Sequence, residues 1–310
     1  MPGEFLGQDD ECILWTVDVG TRNGVPRAIA VAADGTVWVG LHNDEQTVQL
    51  DATTGRVLRT VDLRDFQPYG AAIASDGTLW FTEAATGRIM DVDTRTATRG
   101  RARVARSPDG CSGSYGIAVD ARDRVWLAGF QCDYAFRFDP SSGGWLSVAL
   151  PGAGAGRGIA ADDRGWIYMA ASHEFIRIRG GAMFEVGPEI SRVTRFRADD
   201  GSRVEILGTA DAPLPGSGTT GVGLDSRRRV WLVNQGSGSA TLVDFAGGPV
   251  REYEVGVQPY TYSDFTGFAL RTFTAPNGYL RTVVEGCAVG PTEWERVSWD
   301  ATEPGMSMVD

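Results

Sequence analysis

Five times along this chain a small residue is followed ten positions later by a large aromatic one: Ala28 and Trp38, Gly70 and Trp80, Gly116 and Trp126, Gly158 and Tyr168, Gly221 and Trp231. The stretch Pro68-Tyr69-Gly70-Ala71-Ala72-Ile73-Ala74-Ser75-Asp76-Gly77-Thr78-Leu79-Trp80-Phe81-Thr82-Glu83 shows the unit in full. It reads as a short strand, an Asp-Gly turn and a second strand opening on Trp80. Asp-Gly between β-rich runs is the strongest short-range signal for a β-hairpin. One hairpin cannot bury an apolar face by itself, so repeated copies must stack on one another. That requirement constrains the fold more than any other feature of the sequence.

The first unit supplies the rest of the pattern. Its inner strand is placed at residues 28–32 and its turn at Asp34-Gly35. The second strand is placed at 36–41, the third at 47–51 and an outer strand at 57–63. Four strands recurring at roughly 42 residues is the period of a β-propeller blade. The chain is therefore expected to be all-β, a β-propeller of four-stranded blades. Six blades are expected, with five or seven as alternatives. Gly70, Gly116, Gly158 and Gly221 suit inner strands crowded around a central channel. Blade two is placed at 68–109, blade three at 112–150, blade four from Arg157, and blade five from Gly221 to about Val255. In blade four, residues 179–190 read as an insertion that delays the fourth strand to 193–196. A degenerate sixth blade is placed with its inner strand at 266–270 and its second strand at 279–285.

Residues 13–19 have no hairpin before them and match 57–63 in character. They are expected to be an outer strand that completes the last blade and closes the ring, which leaves no exposed edge. Residues 1–11 read as a flexible N-terminus or a cloning scar, and 12–290 as the propeller. Residues 291–310 read as a last-blade strand or the start of a truncated following domain, which would make the chain a piece of a longer protein.

The net charge of −11 argues against nucleic acid as a partner. No basic cluster suits an anionic membrane, and no run is long and apolar enough to insert into one. All 29 cationic residues are Arg, which removes Schiff-base chemistry through Lys. Of the four cysteines, Cys111 precedes the inner strand of blade three and Cys132 follows its second strand. Both fall on one face of one blade, where they can bridge. Cys12 on the closing strand and Cys287 in the last blade could staple the ring shut. Two such bridges would place the protein outside the cell or on its surface.

In this topology the residue before each inner strand and the residue after each second strand come to the same face of the disc. The first set is Arg27, Tyr69, Tyr115, Arg157, Thr220 and Thr266, and the second is Leu41, Glu83, Gly129, Ala171 and Asn234. They converge on one mouth of the channel, a concave place with a few polar groups, where a ligand site is expected. The candidate ligand-binding residues are Arg27, Tyr69, Tyr115, Arg157 and Asn234. Glu83 and Asn234 are candidate ligands of Mg²⁺ or Ca²⁺, although two ligands fall short of the roughly six to eight oxygens that Ca²⁺ takes. No Ser/His/Asp order, zinc spacing or phosphate loop stands out.

The phrase Pro-Tyr-Gly-x-x-Ile…Asp-Gly-x-Leu-Trp-Phe-Thr-Glu…Gly-Arg-Ile, running from Pro68 to Ile89, resembles the repeats of the virginiamycin B (streptogramin) lyase family. More distantly the chain is similar to NHL and gluconolactonase-type propellers. The resemblance covers about residues 26–245. It implies a bacterial propeller and Mg²⁺-assisted ring opening of a cyclic depsipeptide, with His as general base. In that family the catalytic His replaces the Tyr of Pro-Tyr-Gly in certain repeats. Here those positions hold Arg27, Tyr69, Tyr115, Arg157, Thr220 and Thr266, and the two histidines, His42 and His173, follow second strands instead. The sequence thus favours a secreted or cell-surface binding module for a protein or small molecule, with no confident cofactor. The rival is a lyase or lactone hydrolase using Glu83, His173, Glu174 and Asn234 around a divalent ion.

Overall fold

The structure, a computed structural model, describes residues 13–84, 86–108, 110–111, 113–177 and 184–261; at 176, 177 and 184–186 it describes the backbone alone. These residues lie within one compact unit, Met1–Phe273. Among them there is no helix, and the strands form five antiparallel sheets. Blade one is β1 (Pro26–Val31), β2 (Val37–Leu41), β3 (Gln46–Leu50) and β4 (Val57–Asp62). Blade two is β5 (Gly70–Ile73), β6 (Thr78–Thr82) and β7 (Arg88–Asp93), with its outer edge split into β8 (Thr98–Arg99) and β9 (Arg103–Val104). Blade three is β10 (Ser114–Val119), β11 (Val125–Gly129), β12 (Tyr134–Asp139) and β13 (Gly144–Ala149). Blade four is β14 (Gly156–Ala161), β15 (Trp166–Arg177), β16 (Phe184–Arg197) and β17 (Glu205–Leu207). Blade five is β18 (Thr219–Leu224), β19 (Val230–Asn234), β20 (Ser239–Val243) and β21 (Arg251–Glu254). Each blade is a meander of four strands in sequence order, the topology of a β-propeller.

The repeated aromatic holds one register position throughout. Ala30 faces Trp38, Ala72 faces Trp80, Ala118 faces Trp126, Ala160 faces Tyr168 and Gly223 faces Trp231. The ring fills the interface with the following blade. Trp38 packs in one cluster with Phe81 and Met90, Trp80 with Ile117 and Phe136, Trp126 with Ile159 and Phe196, and Tyr168 with Val222 and Leu232. The small partner across the strand pair makes room for the ring, so each hairpin buries its face only when the next blade arrives.

Glycine at the head of the inner strands is a matter of backbone clearance. A Cβ on Gly158 would lie 2.8 Å from the amide nitrogen of Val222 and 2.9 Å from the carbonyl oxygen of Thr220. One on Gly116 would run into the carbonyl of Arg157, and one on Gly221 would lie 2.5 Å from that of Thr261. Successive inner strands therefore approach backbone to backbone around the axis. Thr261 stands to Gly221 as Thr220 stands to Gly158.

Two expectations need correction or qualification. Residues 193–196 are not a fourth strand. They belong to β16, the third strand, which pairs with β15 from Trp166↔Arg197 to Arg177↔Phe184. The extra residues lengthen the second and third strands into a projecting arm, and the fourth strand is β17. Residues 13–19 form no strand among the described residues. They lay Trp15, Val17 and Val19 against Val39, Leu41, Val48 and Leu50, the face of blade one turned away from blade two. The Trp15 indole donates to the Ala52 carbonyl at 2.9 Å. Cys12, Thr266, Cys287, the sixth blade and the domain boundary near residue 290 lie outside the described residues.

Candidate functional site

The starts of the inner strands β1 and β10 and the residue just before β5 bring Arg27, Tyr115 and Tyr69 together, and a residue not singled out in the sequence, Tyr260, completes the group. The Tyr69 hydroxyl donates to that of Tyr115 at 2.6 Å and lies 2.9 Å from that of Tyr260. Tyr115 and Tyr260 are hydrogen-bonded to each other as well. Arg27 donates to the Tyr260 hydroxyl at 3.2 Å while its guanidinium carbon lies 4.2 Å from the centre of the Tyr69 ring. On the other side, the Arg157 guanidinium lies 4.5 Å from the Tyr115 ring centre and 4.3 Å from that of Phe130. His42 meets Tyr69 edge-on with ring centres 6.0 Å apart. Blade one thus touches the segment that follows blade five.

Burial, followed by the hydrogen bonds from Tyr115 and Tyr260, pushes the Tyr69 phenol far above the ordinary tyrosine range. Burial also pushes Tyr115 up. These phenols stay neutral and serve as hydrogen-bond donors and acceptors. A guanidinium over an aromatic face adds about 0.5–2 kcal/mol of attraction. The mouth therefore offers aromatic surface, hydroxyls and two fixed cations, with Tyr260 41% exposed at its rim.

Thr220 and Arg157 line a neighbouring recess together with Ser172 and His173. Arg157 Nε donates to Ser172 Oγ at 3.0 Å, and His173 Nδ1 lies 2.8 Å from the same oxygen. Burial first, and the Arg157 charge second, pull the His173 imidazole below its usual 6.5, with Glu189 opposing.

The remaining candidates are held by their own neighbours. Glu83 is buried, and its carboxylate accepts from the Gln67 amide at 2.9 Å, Thr86 Oγ1 at 2.8 Å and Arg88 at 3.0 Å. It clips the entry loop of blade two to its own second strand. Asn234 is fully buried; its Oδ1 accepts from Thr219 at 2.7 Å and Ser191 at 3.3 Å. Its amide donates to Ser239 at 3.1 Å and Thr241 at 2.8 Å. Both faces of that amide are used inside blades four and five. Glu174 accepts two hydrogen bonds from Arg192, one of them 2.9 Å long. Glu83 and Asn234 share no partner, and among the described residues no group of three or more His, Cys, Asp and Glu side chains is arranged to hold a metal ion. The described residues do not fit the divalent cation that the family resemblance implies.

Cys111 and Cys132 form a disulfide with their Cα atoms 6.2 Å apart, on the face expected from the blade topology. Tyr260 did carry a sequence signal: Gln258-Pro259-Tyr260 repeats Gln67-Pro68-Tyr69, which precedes an inner strand. Phe130 carried none.

No protein-family model and no curated protein matches this sequence. Solved structures do. A streptogramin B lyase matches with a TM-score of 0.61 at 18% identity, over 76% of this chain and 71% of that one. A catalytically inactive virginiamycin B lyase from Staphylococcus aureus with quinupristin gives 0.61 at 17% identity, over 77% and 72%. The nidogen/laminin complex gives 0.53 at 13% identity, over 75% and 81%. At these identities the likeness is one of fold: this chain is a β-propeller resembling the streptogramin lyases.

Proposed function

We propose that this protein is a secreted or cell-surface binding module, which recognises a protein or small-molecule ligand at the channel mouth built from Arg27, Tyr69, Tyr115, Arg157 and Tyr260. One observation carries the reading. Three phenols are hydrogen-bonded to one another. Two guanidinium groups are stacked on the rings beside them. Tyr and Arg are the residue types that carry most binding energy at interfaces, because each joins a large rigid surface to directed hydrogen bonds. Such a set recognises a ligand through aromatic surface and directed hydrogen bonds. The extracellular setting is supported by the Cys111–Cys132 disulfide. A propeller of similar fold appears in the nidogen/laminin complex, an example of this architecture in a protein assembly.

The rival lyase reading makes an opposite prediction for one experiment. The protein is incubated with quinupristin and Mg²⁺, and the antibiotic is followed by liquid chromatography and mass spectrometry. A binding module leaves the ring intact for the whole incubation. Linear product formed above the protein-free control would replace this reading with that of a lyase.

A further inference from the structure

Beside the mouth lies a cavity of about 230 Å³ lined by Arg157, Ser172, His173, Glu189, Thr220 and Gln235, among others. Its volume is below the roughly 300 Å³ at which drug-sized sites begin. Its lining is polar and carries one fixed charge of each sign.

Arg157 is held from two sides: Nε is tied to Ser172 Oγ, and the plane is stacked on Tyr115 and Phe130. Its terminal nitrogens make no hydrogen bond among the described residues. Glu189 lies on β16 directly opposite His173 of β15. Its Oε2 accepts from Ser217 Oγ at 3.2 Å. Two glycines make space for that carboxylate. A Cβ on Gly236 would strike Oε2, and one on Gly218 would lie 3.2 Å from it. Arg157 and Glu189 form no ion pair with each other, and neither is in any other ion pair among the described residues. Both charges nonetheless act on the His173 ring, in opposite senses.

Two opposite charges facing one small cavity without joining each other define the ligand that completes them. A simple anion gains from Arg157 and is repelled by Glu189, and a simple cation meets the reverse. A molecule with a carboxylate at one end and an ammonium at the other pairs with both. We infer that this cavity is a binding site for a free α-amino acid, its carboxylate on Arg157, its ammonium on Glu189 and a polar side chain toward Thr220 and Gln235. The inference does not depend on what the mouth binds, although Arg157 borders both places.

Isothermal titration calorimetry tests it with L-glutamine and glycine as probes. Each is compared with its N-acetyl form, which lacks the ammonium, and its carboxamide form, which lacks the carboxylate. The expected result is that at least one amino acid binds tenfold or more tightly than both of its single-charge analogues. Glu189→Gln, at an exposed position, should abolish the preference over the N-acetyl form and leave the melting temperature unchanged. Tyr115→Phe, which keeps the ring under Arg157, should leave amino-acid binding intact even where it weakens a ligand of the mouth. The inference is overturned if neither amino acid binds better than its analogues, or if the preference survives Glu189→Gln in a folded protein.

Discussion

In blades three, four and five an aspartate lies six residues before the repeated aromatic and bonds to its polar tip. Asp120 accepts from Trp126 Nε1 at 2.8 Å, Asp162 from the Tyr168 hydroxyl at 3.1 Å, and Asp225 from Trp231 Nε1 at 3.4 Å. The same carboxylates accept the amides of the hairpin turn. In blades one and two the equivalent residues are Ala32 and Ala74, and there Trp38 Nε1 and Trp80 Nε1 are buried without a hydrogen-bond partner. A turn carboxylate thus anchors the aromatic in three blades; in the other two the indole nitrogen has no such anchor, and the Arg103 guanidinium lies 5.2 Å from the Trp80 ring centre instead. Asp120 is also paired with Arg124 at 2.8 Å, both side chains being almost fully buried. Asp120→Ala leaves the Trp126 indole unpaired and Arg124 with only the half-exposed Asp199 carboxylate, at 3.2 Å, and should cost about 1–3 kcal/mol in denaturant unfolding. His173 gives a second test. Its folded-state pKa is lowered, so as pH falls the unfolded chain takes up the proton first. The stability that comes from keeping this ring neutral is full above 6.5 and is lost as pH drops through the folded value. Proton NMR of the two histidines, assigned with His42→Gln, should place His173 below 6.5, and lower still in Glu189→Gln. A midpoint above 6.5 would contradict this account of its surroundings.

At the scale of the strand and hairpin, most of the structure was legible. The ten-residue offset marks hairpins because it fixes both the turn and the ring that packs on the next blade. The inner glycines were legible for a related reason: only a hydrogen lets neighbouring strands approach this closely. Gly158→Ala should cost about 1–3 kcal/mol, because the atoms it meets are backbone and cannot swing aside. Equilibrium unfolding measures it, and an unchanged midpoint would show that the inner strands are not packed as described. The arm of blade four shows in the sequence only as an insertion, because neither of its strands alternates in polarity strongly enough to reveal the pairing. Candidate polar residues were the least legible class. Glu83, Glu174 and Asn234 stand at or near the right face, but Arg88, Arg192 and Ser191 consume their polar atoms. A side chain's position along a strand says which face it leaves from. It does not say which distant residue will satisfy it.

On the scale of the whole molecule, the described blades form a fan in which blades one to four each bury a face against the next. Val39, Leu41, Val48 and Leu50 turn the free face of blade one toward Trp15, Val17 and Val19. The Cys111–Cys132 bridge closes a loop of 21 residues between the entry of blade three's inner strand and the exit of its second strand. Chain-entropy reasoning gives such a loop about 3 kcal/mol. Replacing both cysteines with serine should lower stability by that order, and reductant should destabilise the wild type by about that much more than the variant. The fan also decides where chemistry can gather. Outer strands diverge, whereas the entries to the inner strands converge on one mouth, where Arg27, Tyr69, Tyr115, Arg157 and Tyr260 meet. A crystallographic fragment screen reads this most directly, by soaking crystals of the protein with a chemically mixed small-molecule library. Bound fragments are predicted to cluster against the three phenols and the two stacked guanidinium groups. Fragments scattered over the outer strands and the opposite face, with none at these five residues, would contradict it.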